Sequence, residues 1–123
     1  MSTGSAGGVG WSVAIFSAWL VSGVGLLSVD LDRLGEVLSS AMGVAAGPWL
    51  EALLVLVAVL LRGFLHTGLF IVAHDAMHGV LRPGSPEANA RWGRLALILY
   101  AGLAYGSCRA KHELHHRFSG SSR

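Results

Sequence analysis

The chain has 123 residues, of which 53% are apolar and 13% charged; its net charge is +2 and its mean hydropathy +0.58. A chain this short makes one domain at most, and this one is too apolar for an ordinary soluble domain of its size, which points to a polytopic membrane protein. No basic patch interleaved with aromatics is present, which argues against nucleic acid as a partner, and a single cysteine, Cys108, excludes an internal disulfide.

The Gly/Ser-rich residues 1–9 carry no lysine or arginine. They lack the basic start of a secretory signal and read as a disordered N-terminus. Gly10 to Val29 is an uncharged run of about 20 residues, enough to cross a ~30 Å hydrocarbon core. Asp30, Asp32 and Arg33 end it, and the acidic segment 30–47 reads as a loop on the outer side. Pro48, suited to a first helical turn, opens a second apolar run from Trp49 to Ala73. Trp11 and Trp49 stand at the starts of the two runs, where tryptophans anchor helices at the interface. Arg62 would lie at the bilayer centre if the second helix were centred on 50–73, at a cost of about 2.5–3.5 kcal/mol. A span over roughly 45–65 lets Arg62 snorkel to the interface and carries His74 above the membrane.

Gly79 and Pro83 end the second run, and segment 79–94, with Pro83-Gly84-Ser85-Pro86, reads as loop. A third apolar stretch, Leu95 to Ser107, has about 13 residues, short of the ~20 a spanning helix needs. Arg91 and Arg94 precede it, and Arg109 and Lys111 follow. Basic residues at both ends favour one cytoplasmic side, so the stretch reads as re-entrant or as an amphipathic helix lying on the surface. The expected fold is an all-α membrane protein: two transmembrane helices in a hairpin, a re-entrant or surface helix, and a cytoplasmic cap. Residues 119–123 read as a disordered tail.

Five of the six histidines fall in two tight clusters, His74-Asp75-Ala76-Met77-His78 and His112-Glu113-Leu114-His115-His116. Imidazole is the commonest transition-metal ligand near neutral pH. On a helix, residues three and four apart share a face, so His74 and His78 point one way, as do His112, His115 and His116. Two such faces brought together at one membrane surface could hold a metal with nitrogen ligands. His66 lies about 80° around the helix from His74 and reads as a packed bundle histidine. A zinc protease is disfavoured, because Asp75 gives HDxxH in place of the HExxH whose glutamate serves as base.

The segment Gly68-Leu-Phe-Ile-Val-Ala-His74-Asp75-Ala-Met-His78-Gly79 resembles the first histidine box of the β-carotene ketolases, members of the membrane fatty-acid-desaturase and hydroxylase superfamily. The likeness continues through Pro86-Glu-Ala-Asn89, Leu99-Tyr100-Ala101-Gly102 and Lys111-His112-Glu-Leu-His115-His116, which is similar to the second box. This resemblance implies that His74, His78, His112, His115 and His116 are iron ligands and that Asp75 orients a ligand ring. It implies an oxygenase that converts a ring methylene of β-carotene or a related carotenoid to a ketone, using di-iron, molecular oxygen and an electron donor such as ferredoxin, within membrane lipid.

Members of that family are longer and carry a third HxxHH box, for which this sequence has no counterpart. Residues 10–118 are therefore expected to form a partial fatty-acid-desaturase-like domain, an N-terminal fragment supplying part of the ligand set. The competing readings are an inactive or split-gene fragment that acts only with a partner chain, and a metal- or haem-binding membrane protein.

Overall fold

The computed structural model of the chain describes residues 4–43 and 48–119. Among the described residues there are five helices and no strand: α1 Gly4–Ser28, α2 Leu31–Met42, α3 Pro48–Met77, α4 Pro86–Ala101 and α5 Tyr105–Ser119. Two of them are long and apolar enough to cross a membrane, α1 over Gly7–Ser28 and α3 over Pro48–Met77. At 1.5 Å per residue α3 is about 45 Å long, more than the ~30 Å hydrocarbon core requires. Its large apolar side chains are widely exposed, Leu60 at 63% and Phe64 at 76%, a surface that is costly to leave in water.

The helix boundaries correct four expectations. First, α1 begins at Gly4 and α5 ends at Ser119, so residues 4–9 and Ser119 are helical and not disordered, whereas residues 1–3 and 120–123 lie outside the described residues. Second, most of the acidic segment 30–47 is helix α2, with residues 44–47 outside the described residues. Asp30 caps it by accepting a hydrogen bond from the Arg33 N–H at 3.2 Å, and the Gly43 N–H closes it on Ser39 O. Third, residues 86–94 are not loop: Pro86 occupies the first turn of α4, where its missing N–H costs nothing. Fourth, the apolar stretch 95–107 is not one helix. The Gly102 N–H bonds Ile98 O at 3.0 Å and the Leu103 N–H bonds Leu97 O at 3.2 Å. This is the double closure that ends a helix when the next residue takes a left-handed conformation, and Gly102 has φ +65°.

The chain divides into two compact units, residues 17–65 and residues 1–16 with 66–123. In the first, the C-terminal part of α1 packs on α3 through Arg62. Its guanidinium donates to the Trp19 carbonyl and, at 3.2 Å, to Ser22 Oγ, and it lies 4.3 Å from the Trp19 ring centroid. Ser22 in turn donates to Trp19 O at 3.1 Å. The arginine expected to snorkel along α3 is thus partnered sideways, by α1.

In the second unit a small core forms from Val72, Ala73 and Ala76 of α3, Leu81 of the turn, Ala96 and Leu97 of α4, and Tyr105 of α5. Ile15 and Phe16 pack against it, Phe16 with its ring 5.6 Å from Trp92. The α3 residues Leu69, Val72, Ala73 and Ala76 are buried at helical spacing. By the same 100° step, His74 and His78 fall on the opposite side of the helix. Between α4 and α5 the approach is close: a Cβ at Gly93 would stand 2.1 Å from Tyr105 Cε2. Asn89 of α4 holds the turn in place, accepting from the Arg82 N–H at 3.1 Å and donating to Arg82 O at 2.8 Å and Ser85 O at 2.9 Å.

Candidate metal centre

The last turn of α3 carries His74 and its end carries His78, which sits just past Met77 with its N–H on His74 O at 3.2 Å. On α5 the face that begins with Tyr105 and Cys108, both in or against the core, continues two turns later as His112 and then His116. Packing of Tyr105 therefore sets where the α5 histidines point.

Four of the five clustered histidines come together. His74, His78 and His112 offer ligand nitrogens that all lie within 4.8 Å of one another. The Nε2 atoms of His78 and His112 are 2.9 Å apart, and those of His112 and His116 are 3.1 Å apart. Ring centroids repeat the pattern: 4.6 Å for His74–His78, 4.8 Å for His74–His112, 4.7 Å for His78–His112 and 5.1 Å for His78–His116. His115 stands apart, with its ring 6.1 Å from that of His116 and its side chain exposed. It lies about 60° back around α5 from His112, a difference too small for the sequence spacing to separate them. His66 stacks on Tyr100, with centroids 4.8 Å apart, and does not enter the cluster.

Asp75 Oδ1 is 3.5 Å from His74 Nδ1, with both side chains about half exposed. A carboxylate on one ring nitrogen fixes the proton there and turns the other nitrogen's lone pair outward. His112 has its pKa held below the usual imidazole value, first by burial and then by the neighbouring His116, His74, His78 and His115 rings. At neutral pH its ring is the neutral form that ligation needs.

The short nitrogen contacts carry a chemical constraint. An imidazole nitrogen has either one hydrogen or one lone pair, yet His112 Nε2 has two nitrogen neighbours at hydrogen-bond distance. Hydrogen bonds cannot satisfy both contacts well, whereas an electron-poor ion between the rings can. Two nitrogens bound at about 2.1 Å to one ion, at roughly right to tetrahedral angles, lie about 3.0–3.4 Å apart. The observed 2.9 and 3.1 Å are close to that spacing.

Sequence reasoning missed two residues that build this site. Tyr105 is buried, its hydroxyl has no hydrogen-bond partner among the described residues, and burial raises its pKa; it reads in the sequence as another residue of an apolar stretch. Asn89 fixes the turn that follows His78, and its signal was its position near the start of α4, where asparagine is a poor helix former.

Compared with known proteins, the chain is similar to carotenoid ketolases. It is 40% identical over 113 residues to the β-carotene ketolase of Paracoccus sp. (strain PC1), covering 92% of this chain and 40% of that one. With the zeaxanthin 4-ketolase of Chlamydomonas reinhardtii it shares 35% identity over 121 residues, 95% of this chain and 25% of that protein. A β-carotene ketolase of Paracoccus sp. (strain N81106 / MBIC 01143) is 53% identical over 58 residues, 47% of this chain and 24% of that one. The chain thus resembles the β-carotene ketolases along most of its length and spans 40% or less of the length of these relatives. No family model and no solved structure matches it.

Proposed function

We propose that this chain contributes part of the iron centre of a membrane-bound carotenoid ketolase, an oxidoreductase that turns a ring methylene of β-carotene or a related carotenoid into a ketone. The observation that carries the reading is the convergence of His78, His112 and His116, with Nε2 separations of 2.9 and 3.1 Å, on a chain similar to named ketolases. The donor set fits the metal: neutral imidazoles suit iron, and His74, His78 and His112 would hold it, with His116 beside them. His115 joins the proposed ligand set from the resemblance. When bound, iron together with molecular oxygen supplies the oxidising power that an unactivated ring C–H demands.

The remaining work belongs to the chain's own side chains. Asp75 holds the His74 ring in one tautomer. His112 stays neutral at physiological pH and keeps its lone pair available. The apolar length of α3, ending at the histidines, keeps the centre next to a substrate that stays in the bilayer. We place the cluster on the cytoplasmic side, where the basic residues of the α4–α5 segment belong and where a soluble electron donor such as ferredoxin can reach it. The matched relatives are considerably longer, and the further donors of a two-iron set are assigned to sequence of the kind they carry beyond the match.

Expression in a β-carotene-accumulating bacterium tests the substrate, with and without a complementing segment that carries the rest of a ketolase. Keto-carotenoids in either arrangement support the assignment; their absence from both removes it. Metal analysis of the purified chain tests the ion separately, and zinc in place of iron would leave a metal site without this chemistry.

A further inference from the structure

One face of α4 is committed to the core through Asn89, Gly93, Ala96 and Leu97. The opposite face carries Arg91, Arg94, Leu95 and Ile98, spaced as a single helical stripe. Its first part is charged. Arg91 and Arg94 line an open cleft of about 530 Å³ together with Glu87 of α4 and Arg109 of α5, three arginines against one carboxylate. Arg109 is paired with Glu113 at 2.9 Å, but no carboxylate among the described residues pairs with Arg91 or Arg94. The surrounding sequence adds to the field, with six basic residues against two acidic ones between 82 and 117. The second part is apolar. Leu95, Ile98 and Leu103 are 46%, 61% and 41% exposed, and Arg94 borders a second cleft with Ile98 and Leu103.

We propose that this face of α4, with Arg109, is a binding site for an anionic phospholipid, its phosphate at Arg91 and Arg94 and its acyl chain along Leu95, Ile98 and Leu103. Arginines bind phosphate through a fork of donors, and a phospholipid presents phosphate and hydrocarbon in the order in which this face presents arginine and leucine. A free phosphate would leave the apolar half uncovered, and so would an acidic protein surface. The two membrane-length helices of the chain keep it where such lipids are. The site makes no use of the histidines, so it stands or falls apart from the iron reading.

The test is native mass spectrometry of the purified full chain in detergent, scoring retention of phosphatidylglycerol against phosphatidylcholine. The wild-type chain is expected to retain phosphatidylglycerol preferentially. The double variant R91Q/R94Q should lose roughly fivefold of that preference per arginine, and R91K/R94K should keep most of it. Equal retention of the two lipids by the wild type overturns the proposal, as does an unchanged preference in R91Q/R94Q. Displacement of the bound lipid by millimolar inorganic phosphate overturns it in favour of a simple anion site. Binding of polyglutamate through the same arginines, without lipid preference, overturns it in favour of a protein partner. Should R91Q/R94Q fail to fold, the salt dependence of the wild type reads the same contact: a preference that falls with ionic strength supports the site, and a salt-independent one refutes it.

Discussion

Gly93→Ala should weaken metal binding without touching a histidine. The added methyl would stand 2.1 Å from Tyr105 Cε2, 2.7 Å from Cδ2 and 2.9 Å from Cζ, whereas ordinary contact begins at 3.4 Å. The ring must therefore move from 2.1 to 3.4 Å, about 1.3 Å, and because it is buried the residues packed on it must move too. Overpacking of this kind costs about 1–3 kcal/mol, offset by about 1 kcal/mol from replacing a helical glycine with alanine. The net loss of stability is thus modest and α4 persists. The displacement, however, falls on the first turn of α5, whose same face carries His112 and His116. With nitrogen contacts of 2.9 and 3.1 Å, a shift of that size opens the cluster. The expected result is a loss of metal affinity of about 10–100-fold, the range seen when the groups supporting a ligand are disturbed. Cobalt(II) titration of the purified chain in detergent, read by its absorption bands, measures the affinity, and circular dichroism checks that the helices remain. Gly93→Ala combined with Tyr105→Leu should restore much of the loss. A folded Gly93→Ala chain that binds cobalt(II) as tightly as wild type would refute the claim that Tyr105 sets the position of the α5 histidines.

Three further outcomes follow from the same geometry. In the isolated chain His112→Ala should reduce cobalt(II) affinity by well over tenfold, while His115→Ala, whose ring stands outside the cluster, should change it by less than about threefold; the two variants titrated side by side decide this, and equal losses would contradict the arrangement. In the metal-free chain the His112 ring should titrate below its ordinary value, as followed by NMR. Because its folded-state pKa is lowered, the associated stability is present above the unfolded value near 6.5 and is lost as pH falls through the lower folded value; a midpoint at or above 6.5 would contradict the crowding described. Asn89→Ala removes three hydrogen bonds from the 82–85 turn and should destabilise the chain by about 2–3 kcal/mol, visible as a lower melting temperature in detergent, with Asn89→Asp losing at least as much, because its carboxylate cannot donate to Arg82 O and Ser85 O.

The sequence made the long-range plan readable and left the local joints obscure. Two long apolar runs and two histidine clusters at helical spacing were enough to expect α1, α3 and a nitrogen-lined site. Composition misled at the ends of elements. The Gly/Ser content of residues 4–9 looked like disorder but is helix. Asp30 and Pro86 looked like breakers of an apolar pattern, while each is a helix-starting residue in its proper place. The fit of Gly93 against Tyr105 and the bonds between Asn89 and Arg82 join residues seven or more positions apart through tertiary packing, which no periodicity encodes. The separation of His115 from its two neighbours was illegible for a different reason. Three residues within one turn and a half share a broad arc, and the docking of α5, not its sequence, selects which of them face α3.

The last turns of α3 tie two demands to one another. Leu69, Val72, Ala73 and Ala76 index the helix against its neighbours, and the same rod presents His74 and His78 half a revolution away. An inserted or deleted residue anywhere between 69 and 76 would advance the screw by about 100° and 1.5 Å. The chain would then have to choose between seating its alanines and aiming its imidazoles. In this stretch the spacing itself is the functional specification, and side chains can be exchanged more freely than their count can be altered.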